Sequence, residues 1–276
     1  MKALFTLAAC VSVVAVFVIC IFLFANGLPA IMEIGPWQFL SGTEWRPNND
    51  VYGIFPMIVG SVYTTVGALL IGAPIGILSA VYMVFYCPKR IYPLLRSGVQ
   101  LLAGIPSVVS GFFGLMVLVP WVRDTFGGRG LSVMTAAILL GMMILPTIIS
   151  VSESSIRSVN TSYYEGSIGL GATHERSIFR VVIPACKSGI LTGVVLGLGR
   201  AIGETMAVIM VAGNQTAIPH ALTDGVRTMT TNIVMEMGYA ADLHRQALVG
   251  TAVVLFIFIL IINFLLALLK RGDMNE

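Results

Sequence analysis

Along this chain, long apolar stretches alternate with polar connections, and each apolar stretch has the length of a membrane crossing. The runs occupy positions 4–25, 56–86, 97–122, 131–151, 189–212 and 247–269. At about 1.5 Å of rise per residue, each is long enough to cross a hydrocarbon core about 30 Å thick. The pattern predicts an all-α membrane protein with six transmembrane helices in a single domain, 1–276. The first run follows Lys2 and has the outline of a secretory signal. Its apolar core is about twice the usual length of such a signal, so a retained spanning helix is expected.

Composition supports this reading. Charged residues make up 11% of the 276 and hydrophobic residues 57%, with mean hydropathy +0.93; a soluble domain carries about 25% charged residues. The formal charge of +3 is too small to suggest nucleic acid as a partner. Cys10, Cys20, Cys87 and Cys186 show neither disulfide nor zinc spacing and read as packing residues.

The position of the charges says more than their sum. One set of connections and termini holds Lys2, Lys89, Arg90, Arg96, Arg157, Arg176, Arg180, Lys187, Lys270 and Arg271. The other holds Arg46, Arg123, Arg129, Arg227 and Arg245. Basic residues accumulate on the cytoplasmic side of membrane proteins, which predicts cytoplasmic N and C termini. The segment 152–188 is then a long inner loop, and 213–246 an outer loop long enough for short helices. Glycine and proline inside the runs, as in Gly72-Ala-Pro74-Ile-Gly76 and Gly104-Ile-Pro106, fit a bundle in which neighbouring helices satisfy freed backbone groups. Small residues four apart, such as Gly193 and Gly197, permit close helix approach.

Within the inner loop, "SYYEGSIGLGATHERSIFRVVIP" runs from Ser162 to Pro184. Ser162 and Glu165 have capping-box spacing, predicting a short helix that stops at Gly171. Thr173 is placed to cap a second one. Taken alone, the loop reads either as a solvated hairpin or as a helix that seats in a groove of another protein.

Arg200 and Glu204 raise a different question, because both fall inside the run 189–212. An arginine there costs about 2.5–3.5 kcal/mol on insertion scales, and four-residue spacing puts both side chains on one helix face. Two readings stay open. The pair fixes helix packing, or Arg200 lends its guanidinium to a passing oxyanion while Glu204 holds it or limits its affinity. Hydroxyls of Thr64, Thr65, Ser107, Ser110 and Thr205 could assist.

Glu165, then Gly171 six residues on, then Val181-Val-Ile183-Pro184, resembles the EAA loop of binding-protein-dependent ABC-importer permeases. Gly166 and Ser167 stand where that family has two alanines, so the first turn is expected to be more flexible. "LLAGIPSVVSGFFGL" at 101–115 and "GLGRAIGETMAVIMVAGN" at 197–214 are similar to the PstC-type permeases of phosphate importers. The similarity covers the second to sixth runs. It implies a type I importer permease in a bacterial cytoplasmic membrane, paired with a second, PstA-like permease. It also implies two ATPase subunits that use ATP and Mg, and an extracytoplasmic phosphate-binding protein. Glu165, Gly166, Ser167, Gly171 and Pro184 would couple to the ATPase. Arg200, Glu204, Thr205, Ser107 and Ser110 would line the substrate path.

Other chemistry is not indicated. No Walker A pattern occurs, so ATP hydrolysis is expected in another subunit and no cofactor in this chain. Gly197-x-Gly199-x-x-x-Gly203 departs from dinucleotide-fingerprint spacing and lies mid-helix. His174, His220 and His244 lack ligand spacing, and no nucleophile elbow occurs. A permease for sulfate or molybdate, and a transporter driven by an ion gradient, are the competing readings. An intramembrane enzyme is disfavoured for want of paired catalytic groups.

Overall fold

A computed structural model describes residues 1–272, and residues 273–276 lie outside it. The side chains of Lys270 and Arg271, assigned above to the inner side, also lie outside the described set. A long helix α1 (Lys2–Ile34) leads through α2 (Pro36–Ser41) to a two-stranded antiparallel hairpin. Its strands β1 (Trp45–Arg46) and β2 (Val51–Tyr52) pair Trp45 with Tyr52 and Arg46 with Val51. Helix α3 (Phe55–Val81) ends in a π-helical turn, Tyr82–Tyr86. Then come α4 (Tyr92–Gly104), α5 (Ser107–Phe113), a second π turn and α6 (Val119–Phe126). Helix α7 (Val133–Arg157) precedes a hairpin of α8 (Thr161–Gly169) and α9 (His174–Ser177). After a third π turn, Ile178–Val182, and the short α10 (Ile183–Ala185) comes α11 (Lys187–Gly203). The chain closes with α12 (Met206–Val211), α13 (Met229–Glu236) and α14 (Asp242–Gly272).

Five helical stretches among the described residues are long and apolar enough to cross a membrane: Leu4–Ile34, Phe55–Tyr86, Ser107–Phe126, Val133–Arg157 and Asp242–Phe264. A sixth exists if His174–Ala185 and Lys187–Gly203, bent by 70° at their junction, count as one span.

Two spans expected to be continuous are broken. The run 97–122 divides at Ile105-Pro106. Proline lacks an N–H and pushes the preceding residue out of the helical region, and Ile105 sits at φ −68°, ψ 125°. The run 189–212 divides after Gly203, where Glu204 is extended at φ −69°, ψ 128°.

Helix α7 is the centre of the bundle. On one side it meets α3, where a Cβ on Gly72 would lie 2.7 Å from Ile144 Cγ1 and 2.8 Å from the Gly141 carbonyl oxygen. On the other it meets α11, where a Cβ on Gly197 would lie 3.0 Å from Ile148 Cγ1. With no bulk to hold the helices apart, Leu139, Leu140, Ile144 and Ile148 are buried between them. A second apolar cluster forms where the end of α1 meets α2, the hairpin and α14, with Phe39, Ile54 and Leu248 fully enclosed. The first part of α1 is exposed along its length.

Candidate functional site

The break after Gly203 changes the local electrostatics. Because α11 ends there, Glu204 does not continue the face that carries Arg200, and the expected i,i+4 ion pair is absent. Instead the Glu204 carboxylate turns forward. Its Oε1 accepts hydrogen bonds from the backbone N–H groups of Thr205 and Ala207, each at 3.2 Å. Those are orphan donors at the start of α12, which a carboxylate satisfies while complementing the helix dipole. The Glu204 carbonyl accepts from the Thr230 hydroxyl at 3.3 Å, tying the break to α13. Arg200, partly buried on the last turn of α11, makes no hydrogen bond or ion pair among the described residues. A guanidinium in a membrane-embedded helix with no partner among the described residues is costly.

The remaining path candidates are divided between two places. Ser107 and Ser110 lie on α5, which packs against α12. A Cβ on Gly111, next to Ser110, would lie 2.8 Å from Ala207 Cα, two residues after Thr205. The segments that follow the two breaks therefore touch. Thr205 donates its hydroxyl to the Gly203 carbonyl at 3.2 Å. Thr64 is buried on α3 and spends its hydroxyl on the carbonyls of Gly60 and Ser61. Thr65 is buried beside it.

The inner hairpin forms with one correction. Asn160, not Ser162, caps α8, its Oδ1 accepting from the Ser162 N–H at 3.0 Å. Asparagine caps as well as serine does, and here the helix begins one residue before Ser162. Its end lies where expected. Gly171 has φ 88°, its N–H donates to Ile168 O at 2.9 Å, and the Ala172 N–H donates to Ser167 O at 3.1 Å. This is the Schellman closure that a glycine permits without Cβ strain. Thr173 caps α9 through the Arg176 N–H at 3.3 Å.

The greater flexibility expected at 166 and 167 is offset by ties between the two helices. The Ser167 and Ser177 hydroxyls lie 2.9 Å apart, and the Tyr164 hydroxyl is 2.7 Å from His174 Nδ1. His174 packs edge-on against Tyr86, ring centroids 5.1 Å apart, which joins the hairpin to the end of α3. Glu165 and Pro184 are exposed, and a Cβ on Gly166 or Gly171 would meet nothing within 4 Å among the described residues.

Sequence reading missed a polar cluster on the opposite side. Glu236, at the end of α13, has a nearly enclosed side chain. Its Oε1 accepts from Arg227 Nη1 at 2.5 Å, and its Oε2 takes Trp45 Nε1 and His244 Nε2, each at 2.8 Å. Arg227 also donates to Asn232 Oδ1 and to the Asn214 carbonyl. Trp45 and Glu236 are 191 positions apart, so no local pattern could mark them. Trp45, Glu236 and His244 of the cluster line a cleft of about 810 Å³, together with Arg46, Asp50 and Asp242. Nearby, burial and the neighbouring Asp50 push the Tyr52 hydroxyl up to about 12. Backbone N–H groups of Ala221 and His220 hold the Asp224 carboxyl below its ordinary value. No group of three or more His, Cys, Asp or Glu placed to hold a metal occurs among the described residues.

The family model described as "Binding-protein-dependent transport system inner membrane component" matches residues 72–272. A probable ABC transporter permease protein, YqgH, of Bacillus subtilis is 39% identical over 94% of this chain and 88% of its own length. The phosphate transport system permease protein PstC of Mesorhizobium japonicum is 35% identical, over 92% of this chain and 82% of its own. Among solved structures, one of the MetNI methionine ABC transporter in an inward-facing conformation aligns with TM-score 0.64 at 18% identity. That alignment covers 83% of this chain and 99% of the other.

Proposed function

Because this chain belongs to the family of binding-protein-dependent transport system inner membrane components, we propose that it is a permease subunit of an ATP-driven importer of inorganic phosphate. It is a multi-pass membrane protein, and the bacterial cytoplasmic membrane, with both termini inside, is the location that fits its charge distribution. The named relatives support phosphate as the cargo, since several carry that name over most of their length.

The observation that carries the reading is the state of Arg200. With Glu204 committed to the amides of α12, the guanidinium is left for an external oxyanion, which its planar fork suits. The flanking break supplies what conduction requires: a single charge, no closed cage, and neighbouring hydroxyls that bind weakly enough to release. Thr205, Ser107 and Ser110 serve as these weak partners.

The chain's own packing leaves room for the other subunits. Leu196, Gly199 and Gly203 form an open stripe on α11 next to Arg200, and a Cβ on either glycine would meet nothing. A second permease subunit of similar fold covers this stripe and closes the path. On the inner side, the exposed Glu165, Gly166 and Gly171 fit a groove of an ATPase partner, which binds ATP and Mg and performs the hydrolysis. Pro184 holds the return towards the membrane. An extracytoplasmic phosphate-binding protein delivers the ion from the opposite face.

The test is uptake of labelled phosphate by phosphate-starved cells lacking other phosphate systems. Arg200→Ala abolishes uptake while the complex assembles and its ATPase still turns over. Arg200→Lys keeps the charge, loses the fork and retains only part of the activity. Failure of Arg200→Ala to assemble would return Arg200 to a packing role. Competition by excess sulfate or molybdate would reassign the cargo to another oxyanion, and uptake that persists without the ATPase subunits would refute an ATP-driven importer.

A further inference from the structure

Two adjoining cavities beside α4 have complementary chemistry. The first, about 260 Å³, lies between α4 and the end of α7. Arg96 and Gln100, four apart on α4, form one wall; Ser150, Ser154 and Arg157, on one face of α7, form the other. The second, about 470 Å³, is lined by Ile75, Leu78 and Tyr82 of the α3 segment, by Leu95 and by Ile149. Met83 and Val99 belong to both, so the polar cavity opens directly into the apolar one. Leu78 is 57% exposed, so none of the described residues closes the cleft there.

The charges of the polar cavity are unequally matched. Glu153 accepts from Arg157 Nε at 2.8 Å and from the Tyr92 hydroxyl. The Arg157 guanidinium carbon lies 4.8 Å above the Tyr92 ring, which fixes its orientation. Arg96 donates to the Tyr92 oxygen at 3.0 Å and pairs with no carboxylate among the described residues. The cavity thus holds two guanidiniums and one carboxylate, which pairs with Arg157, and Arg96 has donors to spare. The site is at the polar end of α4, six residues past Arg90, on the same side as the inner hairpin. A bilayer places lipid headgroups at that level.

We propose that this paired cavity is a binding site for an anionic phospholipid, with the headgroup phosphodiester on Arg96 and an acyl chain in the cleft against Leu78, Leu95 and Ile149. Basic pockets between membrane helices on the cytoplasmic side select such headgroups. The apolar half separates a lipid from free phosphate, which shares the oxyanion chemistry but has nothing to place there. The lipid fills the gap between α3 and α4 where both pack on α7, so its occupancy bears on the seating of α4.

Native mass spectrometry of the delipidated, detergent-purified complex, titrated with phosphatidylglycerol or phosphatidylcholine, tests this. The parent retains phosphatidylglycerol preferentially. Arg96→Gln lowers that retention about fivefold, the effect of one basic residue near a lipid surface, while Arg96→Lys largely restores it. Val99→Trp, which leaves every charge in place, blocks the shared opening and removes the tightly held lipid of either kind. Phosphatidylglycerol retention unchanged in both Arg96→Gln and Val99→Trp overturns the proposal. Displacement of the lipid by excess inorganic phosphate would make the polar cavity a free-oxyanion site instead. Efficient cross-linking of a Val99→Cys variant to the second permease subunit, in place of a reactive lipid analogue, would assign the cleft to a partner helix.

Discussion

Glu236 accepts from three side chains at once, and its removal should be costly in a specific way. Its two oxygens receive donors from Arg227, Trp45 and His244, drawn from the outer loop, the β-hairpin and the start of α14. The side chains of Glu236, Arg227 and His244 are only 8%, 13% and 13% exposed. Glu236→Ala leaves a buried arginine without its counter-charge and an indole N–H without an acceptor. Breaking such a pair costs about 3–5 kcal/mol. At about 2 °C of melting temperature per kcal/mol for a chain of this size, the expected loss is about 6–10 °C. Thermal unfolding in detergent, followed by tryptophan fluorescence, measures it, with Trp45 reporting from inside the cluster. The diagnostic comparison is the double replacement Arg227→Met with Glu236→Met, because apolar groups of similar size remove both charges together. That variant should be more stable than either single one. Additive losses in the double variant, or a shift below about 1 °C in Glu236→Ala, would refute this account of the cluster.

Two other outcomes follow from the geometry. Gly72→Val should push α3 off α7, because its first added carbon already comes within 2.8 Å of the Gly141 carbonyl. Overpacking of this kind costs about 1–3 kcal/mol, and a melting temperature equal to the parent's would show that the interface is not close-packed. Tyr52 should ionise near 12 rather than at its ordinary value of about 10. Since folding favours the neutral phenol, its stabilising contribution is complete below about pH 10 and is lost as pH rises towards 12. Tyrosinate absorbance, taken as the difference from Tyr52→Phe, reads the midpoint. Asp50→Asn should lower it, and a midpoint near 10 in the parent would contradict burial as the cause.

The two broken helices mark the limit of what the sequence made legible. Apolar run length marks roughly where the long apolar helices occur, because bilayer thickness acts on the chain as a sum over about twenty residues. Gly171 and Thr173 were readable because a left-handed stop and a hydroxyl cap are local devices. Proline gave no such certainty. Pro74 and Pro146 sit inside continuous helices, held by the packing of α3 on α7, whereas Pro106 ends one. Glu204 illustrates the same competition. Four residues from an arginine, it could equally have extended the helix and paired. The amides of α12 outbid that pairing once the chain turned at Gly203, and only the tertiary structure decides this. The Arg227, Glu236, Trp45 and His244 cluster was not read either: three members lie between 227 and 244, but Trp45 joins them across 191 positions and no periodic pattern links the others.

The 70° bend at the end of the inner hairpin has a mechanical consequence. It makes α11 one arm of a bell crank whose other arm is the segment His174–Ala185. Arg200 lies thirteen residues beyond Lys187 on the upright arm, about 20 Å from the elbow at the helical rise. A rotation of about 10° at the pivot would swing the guanidinium sideways by about 3–4 Å over that length. With the bend held rigid, sideways travel of the hairpin would become lateral travel of the charge along α11's far end.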